Sequence, residues 1–221
     1  MELITTTNIT ELISKARNSS EKKKFSQSFE LICTLKDIDA KKQDLNVNEV
    51  VFLPNPPSKL AKVCVFATAD LALRAERAKA DKVIGADEID RLATNKRASK
   101  KITRTYDFFL SETALMAKIG KSLGQTLGPK GKMPAPVPPN APIDSMIARY
   151  KTATRVRGRQ QLSFGAKIGE ESMPDAKIAE NGLAVVSALE KKLPRGQGNI
   201  RSVLVKLTMS KPSKMLVTEA K

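Results

Sequence analysis

The sequence predicts an α/β protein: one split α+β domain with a second, three-layer α/β unit inserted into it. Half-polar strands with period-two alternation occur towards both ends of the 221-residue chain, each set accompanied by an amphipathic helix. Between them, continuous apolar runs alternate three times with helical stretches on short connections. That is the pattern of a parallel sheet covered on both faces. A stiff segment, Pro54-Asn55-Pro56-Pro57-Ser58, marks the first change of texture.

Asn8-Ile9-Thr10-Glu11 has the form of a capping box, with Asn8 as the cap and Glu11 reaching back. Ile9, Leu12, Ile13 and Ala16 then follow at helical spacing. After the basic run Lys22-Lys23-Lys24 the period becomes two. Phe25, Phe29, Leu31, Cys33 and Leu35 share one strand face, and Ser26, Ser28, Glu30, Thr34 and Lys36 the other, with Ile32 among them. Val50-Val51-Phe52-Leu53 is a short strand. Beyond the prolines, Val63 to Ala67 reads as a doubly covered strand, and Asp70 can cap a helix to about Ala80. Val83-Ile84 is a strand, and a long basic helix is expected from about Asp87 to Arg104. Phe108-Phe109-Leu110 is the next strand, with Ser111 capping a helix to about Leu123. Gly124 to Pro142 holds six of the twelve prolines and precedes a short helix that places Ile143, Met146, Ile147 and Tyr150 on one face.

The alternating texture returns after Arg155. Leu162, Phe164, Ala166 and Ile168 face one way, and a helix starting between Ser172 and Asp175 turns Ile178, Val185, Val186, Leu189 and Leu193 inward. The last strand sets Val203, Val205, Leu207 and Met209 against Ser202, Lys206 and Thr208 on its polar face. From Lys211 the tail is polar and expected to be mobile. The boundaries implied are 1–66 with 155–221 for the split domain and 67–154 for the inserted one. Two chain crossings permit hinge motion.

Thirty-nine Lys and Arg against 23 Asp and Glu leave a net charge of +16, which calls for a polyanionic partner. Nucleic acid leads; an anionic membrane surface is second. No stretch approaches the roughly 18 apolar residues that span a bilayer, and the start lacks a basic-then-apolar leader, so a cytosolic place is the default. Cys33 and Cys64 lie in apolar runs and read as buried, unpaired thiols. With no histidine, the commonest general base and metal ligand are both missing, and two isolated cysteines do not make a structural zinc site.

The loop Gly128-Pro129-Lys130-Gly131-Lys132-Met133-Pro134 invites a phosphate-loop reading but fails on spacing. Thr126 stands where the first glycine belongs, and Met133 where Ser or Thr should follow the lysine. A basic loop of this kind can still touch phosphates through Lys130 and Lys132, or can be only a rigid surface loop. Gly120, Gly124 and Gly128 recur every fourth residue, which predicts close backbone packing or a helix stop. Basic clusters recur at 22–24, at Lys96, Arg97, Lys100, Lys101 and Arg104, and at Arg155, Arg157 and Arg159. Singly each reads as a solvated face; together they favour RNA. If the strands bearing Ser28, Glu30, Ser202 and Thr208 share a sheet, their polar face is an open platform. A carboxylate there repels phosphate but accepts from a ribose 2′-OH or a base amino group. The competing reading is a merely solvated sheet face.

Three segments carry a resemblance. Lys24-Phe25-Ser26-Gln27-Ser28-Phe29-Glu30 resembles the opening strand of the ribosomal protein L-one family, the proteins of the mobile stalk beside the ribosome's tRNA exit site. Leu127 to Pro134 closely resembles that family's inserted-domain loop in its archaeal form, and Arg201-Ser202-Val203 with Thr208-Met209 resembles its closing strand. The order of elements matches over essentially the whole chain. The resemblance implies a discontinuous domain that binds ribosomal RNA and an inserted, Rossmann-like domain without a cofactor. It puts Lys24, Phe25, Ser28, Glu30, Gly169, Ser202, Thr208 and Met209 at the RNA. Ser210 stands where the family usually has glycine, and it is expected at the RNA as well, its hydroxyl supplying a contact in place of close backbone approach. The implied function is that of a structural constituent of the large subunit in the cytoplasm, among other ribosomal components. It would hold rRNA, aid release of deacylated tRNA and, as some members do, repress its own mRNA. The alternative is a nucleotide-dependent enzyme using the inserted domain, which would saturate with labelled nucleotide at micromolar levels.

Overall fold

A computed structural model describes residues 4–38, 46–138 and 141–217. In chain order the elements are α1 (Thr6–Asn18), β1 (Ser28–Leu35), β2 (Asn46–Phe52), β3 (Val63–Phe66), α2 (Ala69–Arg77), β4 (Lys82–Ile84), α3 (Ala86–Thr94), α4 (Lys96–Thr105) and β5 (Phe108–Glu112). There follow α5 (Met116–Leu127), β6 (Ala135–Val137), α6 (Ile143–Lys151), β7 (Ala153–Arg159), β8 (Ser163–Glu170), α7 (Asp175–Glu190), β9 (Ile200–Leu207) and β10 (Ser213–Leu216). The chain divides into two compact units, 1–59 with 152–221, and 60–151. The boundaries thus fall seven and three residues before the expected ones. The reason is strand pairing: β3 lies parallel between β4 and β5 and belongs to the inserted unit.

The discontinuous unit is built on an antiparallel sheet of order β10-β9-β1-β8. Phe29, Leu31, Cys33 and Leu35 alternate to one face of β1 and are buried there with Val203, Val205, Leu207, Phe164, Ala166 and Ile168. The apolar stripes of α1 (Ile9, Leu12, Ile13, Ala16) and α7 (Ile178, Val185, Val186, Leu189) complete this core. The other face carries Ser28, Glu30, Ile32 and Thr34, all partly exposed. A separate ribbon pairs β2 with β7, and Gly158 in β7 lies so close to Phe164 that a Cβ there would stand 2.4 Å from the ring. Asn181, fully buried on α7, accepts from the Asn55 N–H at 2.9 Å. Its amide donates to the Asn55 carbonyl at 2.9 Å and the Ile168 carbonyl at 2.8 Å. The proline segment is thereby pinned to the core of its own unit.

The inserted unit has a parallel sheet of order β4-β3-β5-β6. All of β3 is buried, as a doubly covered strand should be. Cys64, Phe66 and Phe109 face a cluster with Ile89, Leu92, Ile119 and Leu123 from α3 and α5. Tyr150 of α6 meets Phe108 edge-on at 5.6 Å on the other face.

Several local expectations fail for identifiable reasons. Thr5, not Asn8, caps α1: its side chain accepts the Asn8 N–H at 3.4 Å, and the helix starts three residues earlier. Phe25 and Leu162 precede their strands and are exposed, and Met209 follows its own. Asp70 lies in the first turn of α2 and Thr68 holds the cap position. The long basic helix is two, because the Asn95 side chain accepts the Ala98 N–H at 3.0 Å and restarts the chain as α4. Ser111 is buried inside β5, and α5 begins only at Met116. Arg155, Arg157 and Arg159 belong to strand β7, and the tail from Lys211 contains β10. A Cβ on Gly120 or Gly124 would meet open space, so close packing is not their role; Gly128 does cap α5.

Cys33 and Cys64 are buried and unpaired. Burial pushes both thiols up to about 12. The folded protein at pH 8 is therefore expected to resist a thiol reagent, with both cysteines reacting once denaturant is added. Stoichiometric labelling of the native state would contradict the core described above.

Candidate RNA interface

The start of β1, the end of β9 and the turn after it meet at one end of the sheet. Thr208 follows β9 directly. Its Oγ accepts the Ser28 N–H at 3.1 Å and lies 3.3 Å from the Ser28 carbonyl, to which it donates. The Met209 N–H donates to the side-chain oxygen of Gln27 at 3.1 Å. Ser210 closes the turn: its N–H donates to the Leu207 carbonyl at 3.1 Å, and its hydroxyl oxygen accepts the Leu207 N–H at 2.9 Å. Its backbone is not left-handed, so this turn does not need glycine's freedom. Ser210 answers the missing glycine by turning its hydroxyl inward onto Leu207.

Gln27 is the residue that sequence reasoning missed. It is fully buried, yet all its polar groups are engaged. Besides Met209 it reaches Ser20 Oγ at 3.2 Å, while its N–H donates to the Glu171 carboxylate at 3.1 Å and its carbonyl accepts the Glu171 N–H at 2.9 Å. Period two from Phe29 puts Gln27 on the inward face, and a polar residue there was the available signal. Behind it, Arg17 donates to Asp175 at 2.6 Å and to the Glu171 carbonyl at 2.7 Å, with its guanidinium 5.1 Å from the centre of the Phe29 ring. The end of the platform is therefore rigidly backed.

Around this framework the surface mixes cations, hydroxyls and exposed apolar groups. Phe25 and Met209 are 50% and 65% exposed, unusual for a Phe and a Met and suited to stacking on unpaired bases. Lys24 is exposed beside Phe25. Glu30 lies in register with Lys206 and Lys167 on its two neighbouring strands, with 3.9 Å between the Glu30 carboxylate and the Lys206 ammonium. Burial works against a charge on Glu170. The Lys167 ammonium at 2.7 Å, the Lys59 N–H and the Ser58 hydroxyl outweigh it and hold the carboxyl below its ordinary range. That contribution to stability is present above the ordinary carboxyl range and is lost as pH falls through the lowered value.

Lys24, Phe25, Ser28, Glu30, Thr208, Met209 and Ser210 are thus gathered at or beside one end of the platform. Two expected residues do not present side chains there. Gly169 pairs with Phe29, but a Cβ on it would lie 2.9 Å from Ile178, so its bare side faces α7 and lets helix and strand approach. Ser202 is buried, opposite Thr34, with 2.6 Å between the two hydroxyl oxygens. It lies six residues from Thr208 along the strand, roughly 20 Å. Lys130 and Lys132 belong to the inserted unit. The Lys132 ammonium donates to the carbonyls of Thr103 at 3.0 Å and Tyr106 at 2.6 Å, satisfying the C-terminal end of α4. A phosphate-binding role for this lysine in a nucleotide enzyme competes with that cap. Among the described residues no cluster of metal-ligating groups occurs, and no helix is long and apolar enough to cross a membrane.

Comparison with known proteins agrees with this architecture. The sequence model of the Ribosomal protein L1p/L10e family matches residues 15–211. The chain belongs to this family. Its L1p/L10e relatives include the large ribosomal subunit protein uL1 of Cenarchaeum symbiosum, 48% identical over 91% of this chain and 92% of that one. The uL1 of Thermofilum pendens is 43% identical over 96% and 95%, and that of Aeropyrum pernix 45% identical over 92% and 93%. The L1p/L10e family is one of structural ribosomal proteins, not of enzymes, and the nucleotide-enzyme alternative falls with that assignment.

Proposed function

We infer that this protein is a structural constituent of the large ribosomal subunit and grips ribosomal RNA at the platform end formed by β1, β9 and the turn at Thr208–Ser210. The observation that carries this reading is the convergence of Ser28, Thr208, Met209 and exposed Phe25 on a rigid backing, in a chain of net charge +16. Hydroxyls and the Glu30 carboxylate suit 2′-OH and base-edge contacts, and Phe25 and Met209 suit splayed bases. Lys24 and its neighbours supply the phosphate attraction. The names of the relatives support placement in a ribosome. Membership of the family supports a place at the mobile stalk beside the tRNA exit site, where the protein would aid release of deacylated tRNA. An mRNA that imitates the rRNA site would compete for the same platform, which supports repression of the protein's own message. The cytoplasmic ribosome is the corresponding location.

Two substitutions test the platform. Thr208→Val keeps the side chain's shape and deletes a hydroxyl that already bridges to Ser28 and retains a lone pair for RNA. Affinity for the rRNA fragment is expected to fall by about five- to 150-fold, the equivalent of roughly 1–3 kcal/mol, with no change in salt dependence. Lys24→Ala removes one phosphate contact and should flatten the plot of log affinity against log salt by about 0.7–0.9. Thr208→Val binding like the wild type would move the RNA surface off this end of the sheet.

A further inference from the structure

We propose that the exposed face of α4 in the inserted unit is a second, sequence-independent contact for an RNA sugar–phosphate backbone. Five of the ten residues of α4 are cationic and none is acidic. At 100° per residue, Lys96, Arg97, Lys100, Lys101 and Arg104 fall within an arc of about 140° and a length of about 12 Å. They line a shallow groove of about 510 Å³ together with Thr105. All five are exposed, and among the described residues none forms an ion pair. Elsewhere in the same unit Arg74 pairs with Asp70, Lys82 with Glu88 and Lys118 with Asp90.

The arrangement works against the helix that carries it. Lys96–Lys100, Arg97–Lys101 and Lys100–Arg104 are like charges at i,i+4, and Arg97–Lys100 and Lys101–Arg104 at i,i+3. Lys96 and Arg97 occupy the first turn, where the helix dipole disfavours cations. The helix is held in spite of this by the Asn95 cap, by buried Ser99 bonded to the Leu92 carbonyl, by Thr103 bonded to the Ser99 carbonyl, and by Lys132 at the last carbonyls. A local electrostatic conflict so strongly braced is the mark of a charge kept for a partner.

The chemistry of the face selects the partner. A helix lying in a membrane surface needs its apolar side free. Here Ala98 and Ile102 pack against the core of the unit, and Ser99 and Thr103 are buried. Protein partners engage apolar or aromatic anchors at the centre of a patch, and the groove lining holds none. A row of ammonium and guanidinium groups fits a phosphate backbone.

The experiment uses the full chain, a fluorescein-labelled mixed-sequence 20-base-pair RNA duplex and, in parallel, phosphatidylserine vesicles. In the triple variant Lys96→Gln, Lys100→Gln, Arg104→Gln the slope of log affinity against log salt should fall by about 2–3. The loss of affinity between 50 and 200 mM salt should then shrink by about 16- to 64-fold. Relief of repulsion should leave the melting temperature unchanged or higher, and the arginine variants of the two lysines should keep the wild-type slope. An unchanged slope, a lower melting temperature, or loss of vesicle binding with duplex binding intact would overturn the proposal. The inference is independent of the platform reading. The two readings fail separately: the platform in the affinity of Thr208→Val for the rRNA fragment, and α4 in the salt slope of the triple variant on the mixed-sequence duplex.

Discussion

A chain in which residues 1–59 run through about six Gly and Ser residues into 152–221 is expected to unfold in one cooperative transition and to bind the rRNA fragment nearly as well as the whole protein. All four strands of the platform sheet, both of its helices and the β2–β7 ribbon lie in these two segments. So does the core in which Phe29, Leu31, Phe164 and Val205 are buried. Closing the gap is easy: the Leu53 N–H donates to the Thr152 carbonyl at 3.4 Å, and Lys59 lies only six residues beyond Leu53, a reach of roughly 20 Å. Residues 60–151 alone should keep only salt-sensitive, sequence-independent binding, roughly a thousandfold or more weaker for the same fragment. Denaturant titration and fluorescence anisotropy measure both. A sloping, non-cooperative unfolding curve for the joined chain, or full affinity in the inserted unit, would refute the division of labour.

Asn181→Leu should destabilise the discontinuous unit by about 3 kcal/mol. The side chain is fully buried and makes three hydrogen bonds, two with Asn55 and one with the Ile168 carbonyl. Leucine has a similar volume, so cavity formation contributes little. The cost is the desolvation of polar groups left unpaired, roughly 1–3 kcal/mol for each that water does not reach. The Ile168 carbonyl is beyond water's reach, whereas Asn55 is partly exposed and recovers some of its loss. Asn181→Asp should cost at least as much as leucine, because a carboxylate keeps only the bond from the Asn55 N–H and sets a non-donating, buried oxygen against the Asn55 and Ile168 carbonyls. Equal melting points for leucine and wild type would mean that the amide contributes nothing net.

Strong periodic signals were legible from the sequence and short-range ones were not. The stripe Ile9–Ala16, the alternation Phe29–Leu35 and the run Val63–Phe66 each state a face to be buried, and each is buried. The split architecture followed from textures. Its boundaries did not, because only pairing with β4 and β5 assigns β3 to its unit. β7 was hidden by its own composition: three arginines at period two read as a charge cluster, while Val156 and Gly158 between them face inward. β10 was hidden by brevity, with Met215 the one buried residue of its four. Of the platform, Ser28 and Thr208 were legible from pattern and resemblance together. Their mutual bond was not, nor was the buried Gln27 beneath Met209. A polar residue on an inward position leaves no periodic trace; it is visible only once its partners, here from residues 20, 171 and 209, are assembled around it.

The central place of β1 also orders events in time. Thr34 pairs with Ser163 on one side and Ser202 on the other, so the first strand of the chain waits for its last third. Residues 60–151 contain every partner their own sheet requires, and this unit is free to fold as soon as Lys151 clears the exit tunnel. The 56 residues from there to Leu207 take roughly 3–11 s at about 5–20 residues per second. For those seconds Phe29, Leu31 and Cys33 lack the strands that will flank them, beside a finished neighbour downstream. An unpaired strand of this kind is a template for pairing with other chains. The lysines at 22–24 and at Lys36 bracket it with like charge, a form of protection that acts before the native sheet exists.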